Sequence, residues 1–527
     1  MKLNRREAML LSASSMLFFA TSRYAGAQAA EKVLRFAPHS ALRVLDPVTT
    51  SAYITRNHGY LVYDTLFSVD SNSVPKPQMV DTWEMAGDGL SWTFTLRDGL
   101  AFHDGAPVTS DDVIASIKRW WQKDVVGLRL QAATTDIVAV DARTIRFQLK
   151  EPFGAMLEAL SRTSSIPLFI MPKRIADLPP STMLEEVIGS GPYRFLQDKF
   201  RPGVSWSYVR NENYVPRSEP ADGLAGGKVP RVDRIDQIWF PSPDTAISAL
   251  QNKEIDIIES VNADQRTLLQ GTSVELVRKA SPTASTIRFN WSQPPFNDVR
   301  LRKAVQMIVS QLDYLDVSVG DPTAYEECGA LFGCQTPLKS NAGYGENGLQ
   351  NLEEAKKLVA ASDYKGEEVV IITPGDVASF STLAPLTQQL LTALGIKSKI
   401  DTMEWSSFLE RRSRTAPVSE GGWNLAHAVF DQIDLLSPLG NLNFDARGNA
   451  GYTGFVDDPE TEKLKNSYQR EVDPEKQKEI AVKMQERAYE LVFYIPLGIY
   501  YQFTAVRPEV TGYFSAVAPA LWSLDKA

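Results

Sequence analysis

The side chains most suited to chemistry in this chain of 527 residues are few and scattered. The four histidines are His39, His58, His103 and His427. None has the helical i, i+4 spacing that would set two imidazoles around a zinc ion. His427 suits a ligand or acid–base role, or equally a hydrogen-bonded place in a groove or core. No G-x-S-x-G elbow presents a nucleophile. Gly223 to Lys228 is rich in glycine, but its spacing is wrong for a phosphate loop and Val229 follows the lysine. Carboxylates are plentiful, which keeps open a hydrolase working with two of them, yet no pair stands out. The residues therefore point to binding before catalysis, with no metal set and no cofactor.

The only cysteines are Cys328 and Cys334, set among Gly329 and Gly333. In an oxidising compartment so close a pair reads as a local disulfide, the alternative being two separate buried thiols. Export is indicated at the other end of the chain. Lys2, Arg5 and Arg6 precede an apolar run from Met9 to Ala20, and Ala25-Gly26-Ala27 offers small residues for cleavage. This is the pattern of a secretory signal over residues 1–27, with too short a core to span a bilayer. The Arg5-Arg6 pair also fits the twin-arginine route. That segment carries four basic residues and one acidic, so its removal shifts the formal charge from −9 by −3 to −12. Such an acidic protein repels phosphate backbones, which argues against nucleic acid as a partner.

The elements that must position any site read as mixed α/β. Val33–Ala37, Trp92–Leu96 and Thr144–Leu149 alternate as half-buried strands. Tyr53 to Leu66 reads as a helix. Thr109 with Asp112 three residues on resembles a capping box. Glycine and proline from Gly189 to Pro192 precede strand material, and Ile255–Ile258 reads as a short strand. Asn297 can cap a helix whose inner face is Ala304, Val305, Ile308, Val309 and Leu312. Val369–Ile372 is a continuous apolar run, as in a strand buried on both faces. A helix over Leu383–Leu394, stopped by Gly395, and a strand at Lys397–Asp401 follow, the order of a parallel α/β unit. Asp473-Pro474-Glu475 opens a long helix, and Phe493–Ala505 returns as a strand broken by Pro496.

Several of these stretches together resemble one family. The block from Tyr63-Asp64-Thr65-Leu66-Phe67 through Trp92–Gly99, Phe102-His103-Asp104-Gly105 and Pro107–Val113 is the most specific. Asn290 to Val305 with Pro294-Pro295-Phe296-Asn297-Asp298, and Asp473–Gln477 leading to Tyr494-Ile495-Pro496-Leu497, extend it over essentially the whole mature chain. The chain resembles the extracytoplasmic solute-binding proteins of peptide and nickel ABC importers, bacterial family 5. The resemblance implies a periplasmic-binding-protein type II-like fold, two-lobed, with an extra small domain (cluster C type) and a hinge between lobes. Lobe 1 would comprise 28–58, 190–285 and 495–527, the small domain 59–189, and lobe 2 286–494. The aromatics Trp92 and Phe94 then belong to the scaffold.

It also implies the site. In the family's peptide binders an aspartate shortly after a tryptophan pairs with the peptide amino terminus. The matching region here runs from Gly421 to Asp434, with Phe430 in the place of the second aromatic and either Asp431 or Asp434 as the acid. Trp405 and Trp423 are candidate stacking walls, or core. Tyr53 lies, with Asn57, in the segment that lines the opposite side of the cleft. The implied role is a monomeric periplasmic carrier for a peptide-like solute, delivering it to the permease subunits of an importer. An opine, a sugar conjugate or a nickel chelate is the alternative cargo.

Overall fold

Two sheets drawn from interleaved segments organise the computed structural model, which describes residues 31–527 except 165, 180, 181, 183, 185, 347–350 and 381. The signal segment at 1–27 lies outside the described residues. The first sheet has seven strands in the order Tyr193–Phe195, Ser205–Arg210, Arg234–Ile238, Val33–Ala37, Ile257–Val261, Phe503–Val506 and Glu275–Arg278. Val33–Ala37 runs parallel to both of its neighbours. The second has six, in the order Tyr325–Glu326, Tyr494–Tyr500, Thr283–Phe289, Leu425–Asp431, Val369–Pro374 and Ser398–Met403. Val369–Pro374 is parallel to the strands on either side. Its side chains are buried on both faces, which explains its unbroken apolar sequence. Full burial of Val369, Val370, Ile371 and Ile372 contributes about 1.5–3 kcal/mol each.

A four-stranded antiparallel sheet, Val80–Met85, Ser91–Leu96, Thr144–Leu149 and Thr134–Ala139, makes a third body. Trp92 and Phe94 lie in its core. The Ser110–Trp120 helix crosses it, opened by a capping box between Thr109 and Asp112. The chain passes between the two large sheets twice. Residues 279–282 lead from Glu275–Arg278 to Thr283–Phe289, and residues 501 and 502 lead from Tyr494–Tyr500 back to Phe503–Val506. The crossings run side by side, with the Lys279 amide donating to the Gln502 carbonyl at 2.9 Å. The expected single strand at Phe493–Ala505 is therefore two strands belonging to different sheets.

Other departures have local causes. The helix from Tyr53 ends at Val62, because Asp64–Thr65 pairs with Phe169–Ile170 instead. Asp298, one residue beyond Asn297, caps the Val299–Ile308 helix by accepting from the Arg300 amide at 2.9 Å. That helix stops before Leu312, since Val309 is extended and Ser310 caps a new helix over Gln311–Ser318. Leu312 consequently faces solvent. The Pro474–Leu491 helix starts as its sequence indicates, with the Asp473 carboxylate accepting from Glu475 and Lys476.

Buried charges fasten the third body to the first sheet. Lys228 and Asp64 form an ion pair at 2.8 Å with neither side chain exposed, and Tyr214 donates to the other carboxylate oxygen at 2.9 Å. Removing only one partner leaves an uncompensated charge in a low-dielectric interior. Lys228→Met is expected to cost about 3–5 kcal/mol in urea unfolding, and Lys228→Met with Asp64→Leu to recover much of that loss. A single variant as stable as the parent would show the pair to be dispensable.

Candidate functional site

The turn that follows the Leu425–Asp431 strand carries both candidate acids and lies where the two large bodies meet. Asp431 caps a short 3-10 turn, Gln432–Asp434, and accepts from the Ile433 amide at 3.3 Å. It also accepts from the hydroxyl of Ser281, which stands on the first chain crossing. The Gln432 amide donates to the Pro282 carbonyl at 2.8 Å, so the acidic turn is stitched to that crossing. Asp434 faces the other body. One of its oxygens accepts from Tyr53, the first residue of the Tyr53–Val62 helix, and the other from Ser164.

Behind Tyr53 stands Arg56, only 3% exposed, with its guanidinium 4.2 Å from the tyrosine ring centroid. Arg56 donates to the carbonyls of Thr163 and Val517 at 3.2 and 3.3 Å and to the Asn57 side chain at 3.2 Å. Asn57 in turn donates to Glu259 at 3.3 Å, and His39 lies 2.8 Å from the same carboxylate. Although burial pushes the Glu259 carboxyl upward, the charges of His39 and Lys279 and the hydrogen bonds from His39 prevail and hold it down at about 2.

Next to this bridge lies a cavity of about 260 Å³. Phe430, Asp434, Asn441 and Leu442 line it from one side, and Val125, Arg162, Ser164 and Ile166 from the other. Asp124 fixes that second wall. It caps the Val125–Ala133 helix and pairs with Arg162 at 2.8 Å. Gly440 is needed for the fit, because a Cβ there would stand 2.2 Å from an Arg162 nitrogen. The site thus offers a carboxylate, a phenyl face and an immobilised guanidinium around one small space.

Of the residues singled out from the sequence, Tyr53, Phe430, Asp431 and Asp434 come together here. Trp405 and Trp423 sit elsewhere in the second body. Trp423 is fully buried, 6.4 Å from the Phe455 ring, and Trp405 stacks on Phe408 at 5.6 Å. His427 is buried with its Nε2 2.8 Å from the Thr387 hydroxyl, and burial pulls its pKa down to about 3, so the ring is neutral. Cys328 and Cys334 form a disulfide in the loop beneath the sheet. Arg56, Ser164, Arg162 and Ser281 were not indicated by the sequence. They come from segments far apart in the chain, and none carries a local motif. Among the described residues no group of three or more histidines, cysteines, aspartates and glutamates is arranged to hold a metal ion. No described helix is long and apolar enough to cross a membrane.

Comparison with known proteins places this geometry. The model of the bacterial extracellular solute-binding proteins, family 5 Middle, matches residues 74–438. A probable peptide ABC transporter periplasmic-binding protein of Sinorhizobium fredii is 35% identical over 510 residues, covering 95% of this chain and 94% of the relative. The periplasmic binding protein DppA of Helicobacter pylori, solved with the peptide STSA, superposes with a TM-score of 0.75 at 22% identity, over 94% of this chain and 98% of that one. AgaA of A. tumefaciens R10, solved with agropinic acid, does so with a TM-score of 0.74 at 20% identity, over 94% of this chain. These neighbours establish the two-lobed type II-like fold.

Asp431 gives a pH signature. Burial lifts the Asp431 carboxyl to about 6, against about 4 in an unfolded chain. Its folded form therefore binds a proton that the unfolded form has lost between those values, so its contribution to stability is full below pH 4 and disappears as pH rises through 6. Asp431→Asn is expected to be more stable than the parent at pH 7 to 8 by about 1–2 kcal/mol, with the difference vanishing near pH 4. Urea midpoints taken across that range check it, and a difference that does not vary with pH would refute the assignment.

Proposed function

Because this chain belongs to family 5 of the bacterial extracellular solute-binding proteins, we propose that it captures a peptide or peptide-like solute between its lobes and hands it to the permease of an ABC importer. The observation that carries this reading is the meeting of Tyr53 and Ser164 with Asp434 beside a cavity walled by Phe430 and Arg162. A cationic amine can take the place of those two hydroxyls on the carboxylate, gaining an ion pair where a neutral donor stood. Burial and the neighbouring carboxylates push the Tyr53 hydroxyl well above the ordinary phenol range, so it remains a neutral donor throughout. Phe430 and Val125 offer apolar contact to a side chain of the solute.

The lobes in this reading are 28–58, 190–285 and 495–527 for the first, 59–189 for the small domain attached to it, and 286–494 for the second. The strand partition between the two large sheets supports two lobes but moves their boundaries, because Thr283–Phe289 and Tyr494–Tyr500 both lie whole in the second sheet; the changeover then falls at the paired crossings 279–282 and 501–502, which supply the hinge. Export by a signal ending at Ala27, with Arg5-Arg6 directing the twin-arginine route, would deliver a monomer to the periplasm. No reaction is assigned, in keeping with membership of a family of solute-binding proteins. An opine is the second reading of the cargo, favoured by the guanidinium of Arg162 opposite Asp434, which suits a solute that carries both an amine and a carboxylate.

The test is calorimetry with whatever mass spectrometry finds bound to the native protein, and with a panel of short peptides and opines. One-to-one saturable binding without turnover is expected. Asp434→Asn should weaken the amine-bearing solute by about ten- to a hundredfold, the worth of one charged hydrogen bond. Undiminished affinity in that variant would remove amine capture from Asp434, and steady release of a product would overturn the carrier role.

A further inference from the structure

A second cluster in the same lobe is short of acceptors. Arg288 lies on the Thr283–Phe289 strand, between Ala426 and Tyr494 of the neighbouring strands, on the sheet face away from Ile287 and its core. It is 2% exposed. One guanidinium nitrogen donates to the Asn443 side-chain oxygen, while Nε has no partner. Its guanidinium lies 4.8 Å from the Tyr452 ring centroid. Arg412, the last residue of the Trp405–Arg412 helix, lies 5.8 Å from the same centroid and donates to the Tyr452 hydroxyl at 3.3 Å. Its Nε is also buried without a partner, as are Asn443 Nδ2 and the Thr453 hydroxyl.

Several other buried cations among the described residues are satisfied. Lys228, Arg119 and Arg162 each have a carboxylate at 2.7–2.8 Å. Arg302 has none but is held by the carbonyls of Phe296 and Leu491 at 2.6–3.1 Å. For Arg288 the carboxylate that acts on it is Asp445, and Asp445 is committed to Arg447 at 2.7 Å. Burial and the charge of Arg412 accordingly hold Arg288 down at about 10. Two guanidinium groups gathered on one tyrosine ring, with orphaned donors on both, are costly unless an anion or ordered water meets them.

We propose that Arg288 and Arg412, with Asn443, Tyr452 and Thr453, form a binding site for a small anion of the carboxylate class. The planar forks of the guanidinium groups match a carboxylate in two-point contact. The chain leaves room for the fork, because Gly454 adopts φ +107° and a Cβ there would stand 2.9 Å from an Arg288 nitrogen. Arg412, Tyr452 and Thr453 are half-buried, so that side of the cluster borders solvent. Asn443 also follows Asn441 and Leu442, which line the cleft cavity. The anion is therefore either free in solution or the acidic end of the solute in the cleft, and only the second source rests on the function proposed above.

Acetate is the probe. Thermal unfolding of the intact mature protein, without solute and at constant ionic strength, should show a saturable stabilisation by acetate. Arg412→Gln should weaken the apparent affinity roughly tenfold or more, and Arg288→Met should abolish the response. Calorimetric heats of acetate binding, taken at a temperature where circular dichroism shows each variant folded, should be lost in the same order, which separates loss of the site from loss of the fold. If the solute supplies the anion, a saturating peptide will suppress the acetate response and its C-terminally amidated form will not. If the anion is free, both peptides will leave the response in place. A wild type indifferent to acetate, or one whose response Arg412→Gln leaves unchanged, overturns the site.

Discussion

Everything in this molecule turns on the pair of chain crossings between the two large sheets. Residues 279–282 and 501–502 run together, joined by the Lys279 to Gln502 hydrogen bond, and each end is anchored in a sheet whose register is set by long antiparallel pairings. The crossings are short, so they leave the lobes few ways to move other than rotation about that line. The acidic turn is tied to the same place through Ser281 and Pro282. A change in hinge angle therefore moves Asp431 and Asp434 relative to Tyr53 and Ser164 directly, with no intervening flexible loop. On the function proposed above, opening exposes the carboxylate of Asp434, and closing over a cationic solute desolvates their bond.

The treatment of charge in the interior follows from the same need for rigid walls. Asp64 with Lys228, Asp46 with Arg119 and Asp124 with Arg162 are each matched within 2.8 Å. Ion pairs of this kind add little net stability, because desolvation offsets most of their attraction. They do hold backbone segments in one arrangement, and Asp124 shows how: one carboxylate caps a helix and fixes the arginine that faces the cleft. Arg56 does the equivalent for Tyr53 by filling its donors with carbonyls from two distant segments.

What could be read from the sequence divides along physical lines. Elements governed by near neighbours were readable: the buried strand at Val369, the capping box at Thr109, the proline start at Pro474. Elements decided by distant pairing were not. Tyr63 to Leu66 has the composition of a helix end but is recruited by Phe169–Ile170, and the aromatic run from Phe493 is divided because its halves serve different sheets. The site divides in the same way. Phe430, Asp431 and Asp434 lie within five residues of one another and, like Tyr53, are indicated through the family resemblance. Ser164, Arg162 and Arg56 are brought in by the fold alone. The two tryptophans illustrate the converse, since an aromatic near a cleft strand is equally suited to the core behind it, and Trp423 is fully buried there.

The arrangement at Asp434 also constrains what kind of solute the cleft favours. Tyr53 and Ser164 donate to both carboxylate oxygens when no solute intervenes, so an incoming group must return at least two donors to break even. An apolar or purely acidic group cannot do this, and a single hydroxyl supplies only one donor. A primary ammonium brings three donors and a charge, which places the net gain in the charge rather than in the count of bonds. Burial lifts the nearby Asp431 carboxyl to about 6, so at mildly acidic pH Asp431 is largely protonated. In the proposed reading Asp434 takes the cation, and the shape of the wall formed by Phe430, Val125 and Arg162 is left to select what the cation is attached to.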